Sequence, residues 1–201
     1  MNLTEKSSYD ELHAALQAAM DYSRYNANSQ AVRRAYKLGK QKVWVRVNTP
    51  EKIPVLYLHR FFPKGIGTRT FLVVQGSEGD SYVSLEVNQH ERNPHLTILR
   101  AHAINRYIER RQFQGSIEEA TRTLINGLGV NDTERDSFGT TYYTYFDGGT
   151  FLCTFADNVF TFQTFIMNRQ CGPEQRLRSL QSEKGVAEFR RELQDTIYEH
   201  F

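Results

Sequence analysis

Apolar residues recur along the chain with two periods. Near the N-terminus Tyr9, Leu12, Leu16 and Ala19 return every three or four residues, the spacing of one helix face. Ser8 and Glu11 have the spacing of a capping box at its start. A second helix is predicted from about Ser29 to Leu38, stopped by Gly39. The period then shortens to two. Val43, Val45 and Val47 alternate with Trp44 and Arg46, as in a strand with one buried face, until Thr49-Pro50 ends it. Further strands are expected over 55–61, 70–75 and 82–87, the last two joined by a polar loop at 76–80 that suits a hairpin. After a loop over 88–94, a short strand over 95–99 leads into the central stretch.

That stretch, residues 99–113, is the one around which the rest is organised. A helix there places His102, Arg106 and Arg110 four residues apart, so an imidazole and two guanidiniums form one stripe. Ile104, Tyr107 and Ile108 make the other side apolar enough to dock on a sheet. Ser116 and Glu119 form another capping-box pair, and a second helix should run from Ile117 to about Leu128, ending at Gly127 or Gly129. Beyond the polar stretch 131–136, segments 140–146, 150–156 and 159–167 are rich in aromatic and β-branched residues. Asp147-Gly148-Gly149 and Asp157-Asn158 supply the turns of an antiparallel meander. Phe151, Cys153 and Phe155 share one face of its middle strand; Phe160, Phe162, Thr164 and Ile166 share one face of its last. Residues 173–201 read as one or two amphipathic helices.

The expected fold is therefore α+β: an antiparallel sheet packed on a central helix, with helices at both ends. Ile104 and Ile108 should be buried with Phe151, Phe155, Phe160 and Phe162. At 201 residues the chain fits one domain. Its regions are a helical 1–40, a strand-rich 41–99, a helix pair plus meander over 100–167, and the tail. With 39% apolar residues it can build a sizeable core, and a formal charge of +2 sets up no whole-molecule field that demands a polyanion. No apolar run is long enough to span a bilayer, and the first residues lack a secretory pattern, so no membrane partner and a cytoplasmic location are expected.

Most motifs associated with catalysis are missing. His90-Glu91 with His95 has the wrong spacing for a zinc protease pair, and Pro94 argues against a helix there. Gly65-Ile66-Gly67 lacks the ending of a phosphate loop and reads as a turn. Cys153 and Cys171 share no metal-ligand motif, and Cys153 reads as a small core residue. No metal or cofactor is expected.

Two basic features carry the functional expectations. From 22 to 50 there is no acidic residue, while Arg24, Arg33, Arg34, Lys37, Lys40, Lys42 and Arg46 are interleaved with Tyr25, Tyr36 and Trp44. Cations attract phosphates and aromatic rings stack on bases, so Arg33, Arg34, Lys37, Lys40 and Trp44 are candidate nucleic-acid contacts. The bland alternative is a solvated face.

The second feature is the stripe. His102-Ala103-x-x-Arg106-x-x-x-Arg110, followed by a capped helix and a meander ending in Thr164-Phe165-Ile166, resembles the RelE/barnase-like toxin ribonucleases and related bacterial or phage domains. The resemblance covers about 99–167; the strands before it make this chain longer than a compact toxin. It implies metal-independent RNA cleavage and a cognate inhibitor protein as partner. His102 would then titrate near neutral pH, Arg106 and Arg110 would fork onto phosphate oxygens, and Thr164 would complete the site. The competing reading is a non-catalytic binding or scaffold protein of bacterial or phage type.

Overall fold

A computed structural model describes residues 3–26, 29–87, 94–128, 133–135 and 142–167. Of the loop expected over 88–94, residues 88–93 lie outside the described residues while Pro94 begins a strand; the C-terminal helices expected over 173–201 lie outside them too, as do His90, Glu91 and Cys171. The fold mixes four helices and nine strands among the described residues. The chain divides into two compact units, residues 1–101 with 156–160, and 102–155 with 161–201. The division falls at the start of the central helix, two residues from the boundary between the expected strand-rich and helix-plus-meander regions.

In the first unit α1 (Tyr9–Asn26) and α2 (Gln30–Lys37) precede β1 (Lys42–Asn48), β2 (Pro54–Phe62), β3 (Gly65–Gly76), β4 (Gly79–Val87) and β5 (Pro94–Leu99). Each strand pairs antiparallel with the next. The capping box forms as predicted: Glu11 accepts from the Ser8 backbone N–H at 2.9 Å, and Ser8 Oγ accepts from the Glu11 N–H at 3.3 Å. This satisfies two N–H groups that the first turn leaves without helical partners. Leu12, Leu16 and Ala19 then bury against Val55, Tyr57, Leu72, Val74, Val83, Leu96 and Ile98. The Tyr57 hydroxyl, on the same sheet face, donates to the Ala19 carbonyl at 2.6 Å. Burial of that hydroxyl raises its pKa to about 12.

α2 ends as its sequence requires. Gly39 has φ +68°, its N–H donates to the Tyr36 carbonyl at 3.0 Å, and the Lys40 N–H donates to Ala35 at 3.1 Å. This is the Schellman pairing, which needs a left-handed residue that glycine adopts without strain. The turn expected at Gly65-Ile66-Gly67 lies elsewhere: Phe62 pairs with Gly65, so Pro63-Lys64 make the turn and both glycines belong to β3. Register with β2 extends β3 through residues whose own strand propensity is poor.

The second unit holds α3 (Ala101–Arg111) from His102 onward, α4 (Ile117–Leu128), β6 (Thr133–Arg135), β7 (Tyr142–Phe146), β8 (Gly149–Ala156) and β9 (Val159–Met167), apart from the residues of β8 and β9 that fall in 156–160. The strands lie in the order β9-β8-β7-β6. Asp147 (φ +47°) with Gly148 (φ +72°), and Asp157 (φ +50°) with Asn158 (φ +59°), make the two tight turns. Both central residues in the left-handed region is the geometry that matches strand twist in a two-residue hairpin.

The core of this unit is aromatic and centres on Tyr107. Its ring lies 5.3 Å from Phe165, 5.9 Å from Phe146 and 6.4 Å from Phe151 by centroids, and Phe151 is 4.8 Å from Phe165. Ile104 is buried, as are Phe151 and Phe162. Three expected core positions are not. Ile108 is half-buried, because Tyr107 fills the centre of the helix face. Phe155 is 40% exposed, since β8 leaves the core after Cys153. Phe160 is half-buried, falls in the first unit and rests against His95. The buried positions of β9 are Phe162 and Phe165, three apart, so strict alternation from Phe160 finds Phe162 but misses Phe165.

Candidate nucleic-acid interface

The stripe on α3 forms as a stripe, but its two guanidiniums are engaged within the fold. Arg106 pairs with Glu109 one turn on, at 2.6 Å, with both side chains largely in solvent. Arg110 donates to the backbone carbonyl of Phe165 on β9. That bond ties the helix to the strand carrying the ring most closely packed on Tyr107. His102 is half-buried on the first turn, and Thr164 is half-buried on β9. The start of the helix is served from elsewhere: Ser81 Oγ accepts from the Ala101 N–H at 2.9 Å and donates to Glu5 Oε2 at 2.9 Å.

A polar cluster that the sequence did not suggest lies near the other end of α3. The Tyr107 hydroxyl donates to Asp147 Oδ2 at 2.8 Å, and Arg111 grips the same carboxylate through Nε at 3.1 Å and a second nitrogen at 3.0 Å. Burial, with the neighbouring Asp147 charge, pushes the Tyr107 phenol far above its usual range. The group is a clasp between helix and turn rather than an acid–base pair, because the phenol holds its proton at any ordinary pH.

The basic segment gives a different picture. Arg33, Arg34, Lys37 and Lys40 are exposed. Val32 and Ala35 turn inward from α2, leaving the cations on its outer side. Trp44 does not join them. It sits opposite Leu58, on the sheet face away from Tyr57, and packs on Phe71 at 6.1 Å. The side chains of Arg24 and Tyr25 lie outside the described residues.

What meets α2 instead is Phe61, near the end of β2. The Tyr36 ring lies 5.5 Å from Phe61, and the Phe61 N–H donates to the Gln41 carbonyl at 2.9 Å. Lys42 pairs directly with Arg60 across the β1–β2 ladder. One end of the first unit thus carries Arg33, Arg34, Lys37 and Lys40 on and just after α2, Lys42 and Arg60 on the opposite sheet face, and Lys64 in the turn, all exposed. None of these is in an ion pair among the described residues. Residues 29–48 and 54–76 contain no Asp or Glu. By contrast Arg69, further along β3, pairs with Glu86 and lies over the Phe71 ring at 5.4 Å. Two like charges ~6 Å apart in water repel by roughly 0.7 kcal/mol, and like charges directly opposite in a ladder are unfavourable. No carboxylate among the described residues pairs with Lys42 or Arg60 to offset this.

Exposed apolar side chains stand among these cations: Tyr36 at 62%, Leu38 at 64%, Phe62 at 54% and Ile66 at 43%. Arg60, Phe62, Lys64 and Ile66 were absent from the sequence expectation. Their signal was a second acid-free run, 52–77, separated from the first by Glu51 alone; strand pairing sets its Arg60 opposite Lys42. No three His, Cys, Asp or Glu side chains cluster at metal-binding range among the described residues. No helix among them is long and apolar enough to cross a membrane.

Searches against protein-family models, curated proteins and solved structures return no match to this chain.

Proposed function

We propose that this chain is a non-catalytic nucleic-acid-binding protein that holds phosphate backbone at the basic end of its first unit. One observation carries the reading: seven exposed cations, without an ion-pair partner among the described residues, lie at the end of the unit where two acid-free stretches of chain meet. No ion pair among the described residues uses them, and a field of one sign on a low-dielectric wall attracts a polyanion. RNA is the partner the sequence favours, and DNA presents the same phosphates.

A toxin-like ribonuclease, with a cognate inhibitor, is the second reading. It draws on His102, Arg106, Arg110 and Thr164, and has less support because Arg106 and Arg110 already hold Glu109 and the Phe165 carbonyl.

The test is a titration of a labelled RNA oligonucleotide across a salt series. Affinity should fall linearly on logarithmic axes, by about 0.7 for each single-strand phosphate neutralised. Replacing Arg33, Arg34 and Lys37 together with Gln should flatten the slope by up to about 2. No binding at low salt, or an unchanged slope in the triple variant, contradicts the proposal. RNA cleavage without metal, lost in His102→Ala, would transfer the function to the stripe.

A further inference from the structure

We propose that Phe62 is a base-stacking platform and that the ligand of this interface is single-stranded nucleic acid. This rests on the reading that the basic end binds nucleic acid, and specifies which form. Phe62 ends β2 beside the Pro63-Lys64 turn and is 54% exposed, although a ring of its size is normally buried or paired. It contacts no other ring among the described residues.

What it does contact is Gly67. A Cβ at that position would lie 2.9 Å from Phe62 Cε2, 3.7 Å from Cδ2 and 3.8 Å from Cζ. The nearest atom with both its ring neighbours almost an ångström further away means that the ring meets the strand by its edge. Its edge is therefore turned to the strand at Gly67, and with the residue 54% exposed the ring is accessible from solvent. Glycine at 67 makes room for this, since any side chain there would push the ring aside.

Charge around the ring fits a strand threaded past it. Lys64 follows in the turn, and Arg60 lies two residues back on the same face of β2, about 6–7 Å away. Bases in a duplex are already stacked on both faces, whereas an unpaired base can lay its face on an exposed ring as cations hold its backbone. A lipid surface is the less favoured occupant. The hairpin would have to enter it behind Lys64, whose charge would be carried in first.

The experiment compares a single-stranded oligonucleotide with its own duplex at fixed salt, using the wild-type chain and three variants. The wild type should bind the single strand more tightly. Phe62→Leu keeps an apolar side chain without a π-face. It should weaken single-strand binding roughly 5- to 100-fold, barely change duplex binding, and leave the salt slope unchanged because no cation is removed. Phe62→Tyr keeps the ring and should bind as wild type. Gly67→Ala should fold but displace the ring, and should weaken the single strand in the same direction as Phe62→Leu. Equal wild-type affinity for both forms, or Phe62→Leu binding like wild type, overturns the platform while leaving the interface standing. Binding to neither form at low salt overturns the interface itself. Retention of Phe62→Leu on vesicles containing anionic phospholipid, with no oligonucleotide bound, assigns the surface to a membrane and overturns both.

Discussion

Two groups of arginines and lysines dominate the surface chemistry, and they differ in what they face. On α3, Arg106 and Arg110 meet a carboxylate and a backbone carbonyl of their own chain, and Arg111 grips Asp147 beside Tyr107. At the end of the first unit, Arg33, Arg34, Lys37, Lys40, Lys42, Arg60 and Lys64 meet solvent, and Lys42 stands opposite Arg60. A cation with an internal partner contributes to the fold, and moving it to a ligand means breaking that contact. A cation without one costs the fold a little repulsion and is ready for a ligand. By spacing alone the stripe on α3 looked like the more specific site. By partners it is the more structural one.

That contrast can be broken at either side. The largest effect should come from Tyr107→Ala, which empties the centre of the aromatic core and leaves Asp147 without its phenol donor. A loss of about 3–5 kcal/mol in unfolding free energy is expected by denaturant titration. Arg110→Ala should cost about 1–3 kcal/mol, because the carbonyl of the buried Phe165 loses a charged donor. Had Arg110 been free for a ligand, that variant would be neutral.

The next largest effect concerns His59, a buried histidine in the first unit. Its Nδ1 lies 2.9 Å from Thr68 Oγ1, and its buried Nε2 has no partner among the described residues. Desolvation lowers its pKa below the ordinary 6.5, since a charge there would be buried unpaired. The unfolded chain then takes up a proton below about pH 6.5 that the folded chain refuses. Its stability contribution is complete above that pH and falls as the medium is acidified, by up to about 1.4 kcal/mol per pH unit until the folded histidine itself titrates. His59→Gln should flatten this acid limb. The smallest effect belongs to the basic end: replacing Arg33, Arg34 and Lys37 with Gln should change stability by no more than about 0.5 kcal/mol in total.

Sequence pattern was a good guide where local chemistry decides. Ser8 with Glu11 and Ser116 with Glu119 mark real helix starts, and 159–167 matches β9 to the residue. β6 was missed because Thr133–Arg135 is too short and polar to show a period of two. Long-range partners were not legible. Glu109 is visible three residues from Arg106, but the carbonyl that engages Arg110 is 55 residues away, on a strand whose buried positions break alternation. The same holds for the basic end. Its first half was readable as a run of cations over 33–42, whereas Arg60, Phe62 and Lys64 join it only through the pairing of Lys42 with Arg60.

The comparison is tested most directly by measuring stability and oligonucleotide affinity together in two triple variants. One replaces Arg33, Arg34 and Lys37 with Gln; the other replaces His102, Arg106 and Arg110 with Gln. The first should melt like wild type and lose at least about tenfold in affinity for a single strand at low salt, given the counterions no longer released. The second should melt lower and, where still folded, bind as wild type. The reverse result would contradict the account: unchanged affinity in the first variant, with lost affinity or lost cleavage of RNA in a second variant of undiminished stability.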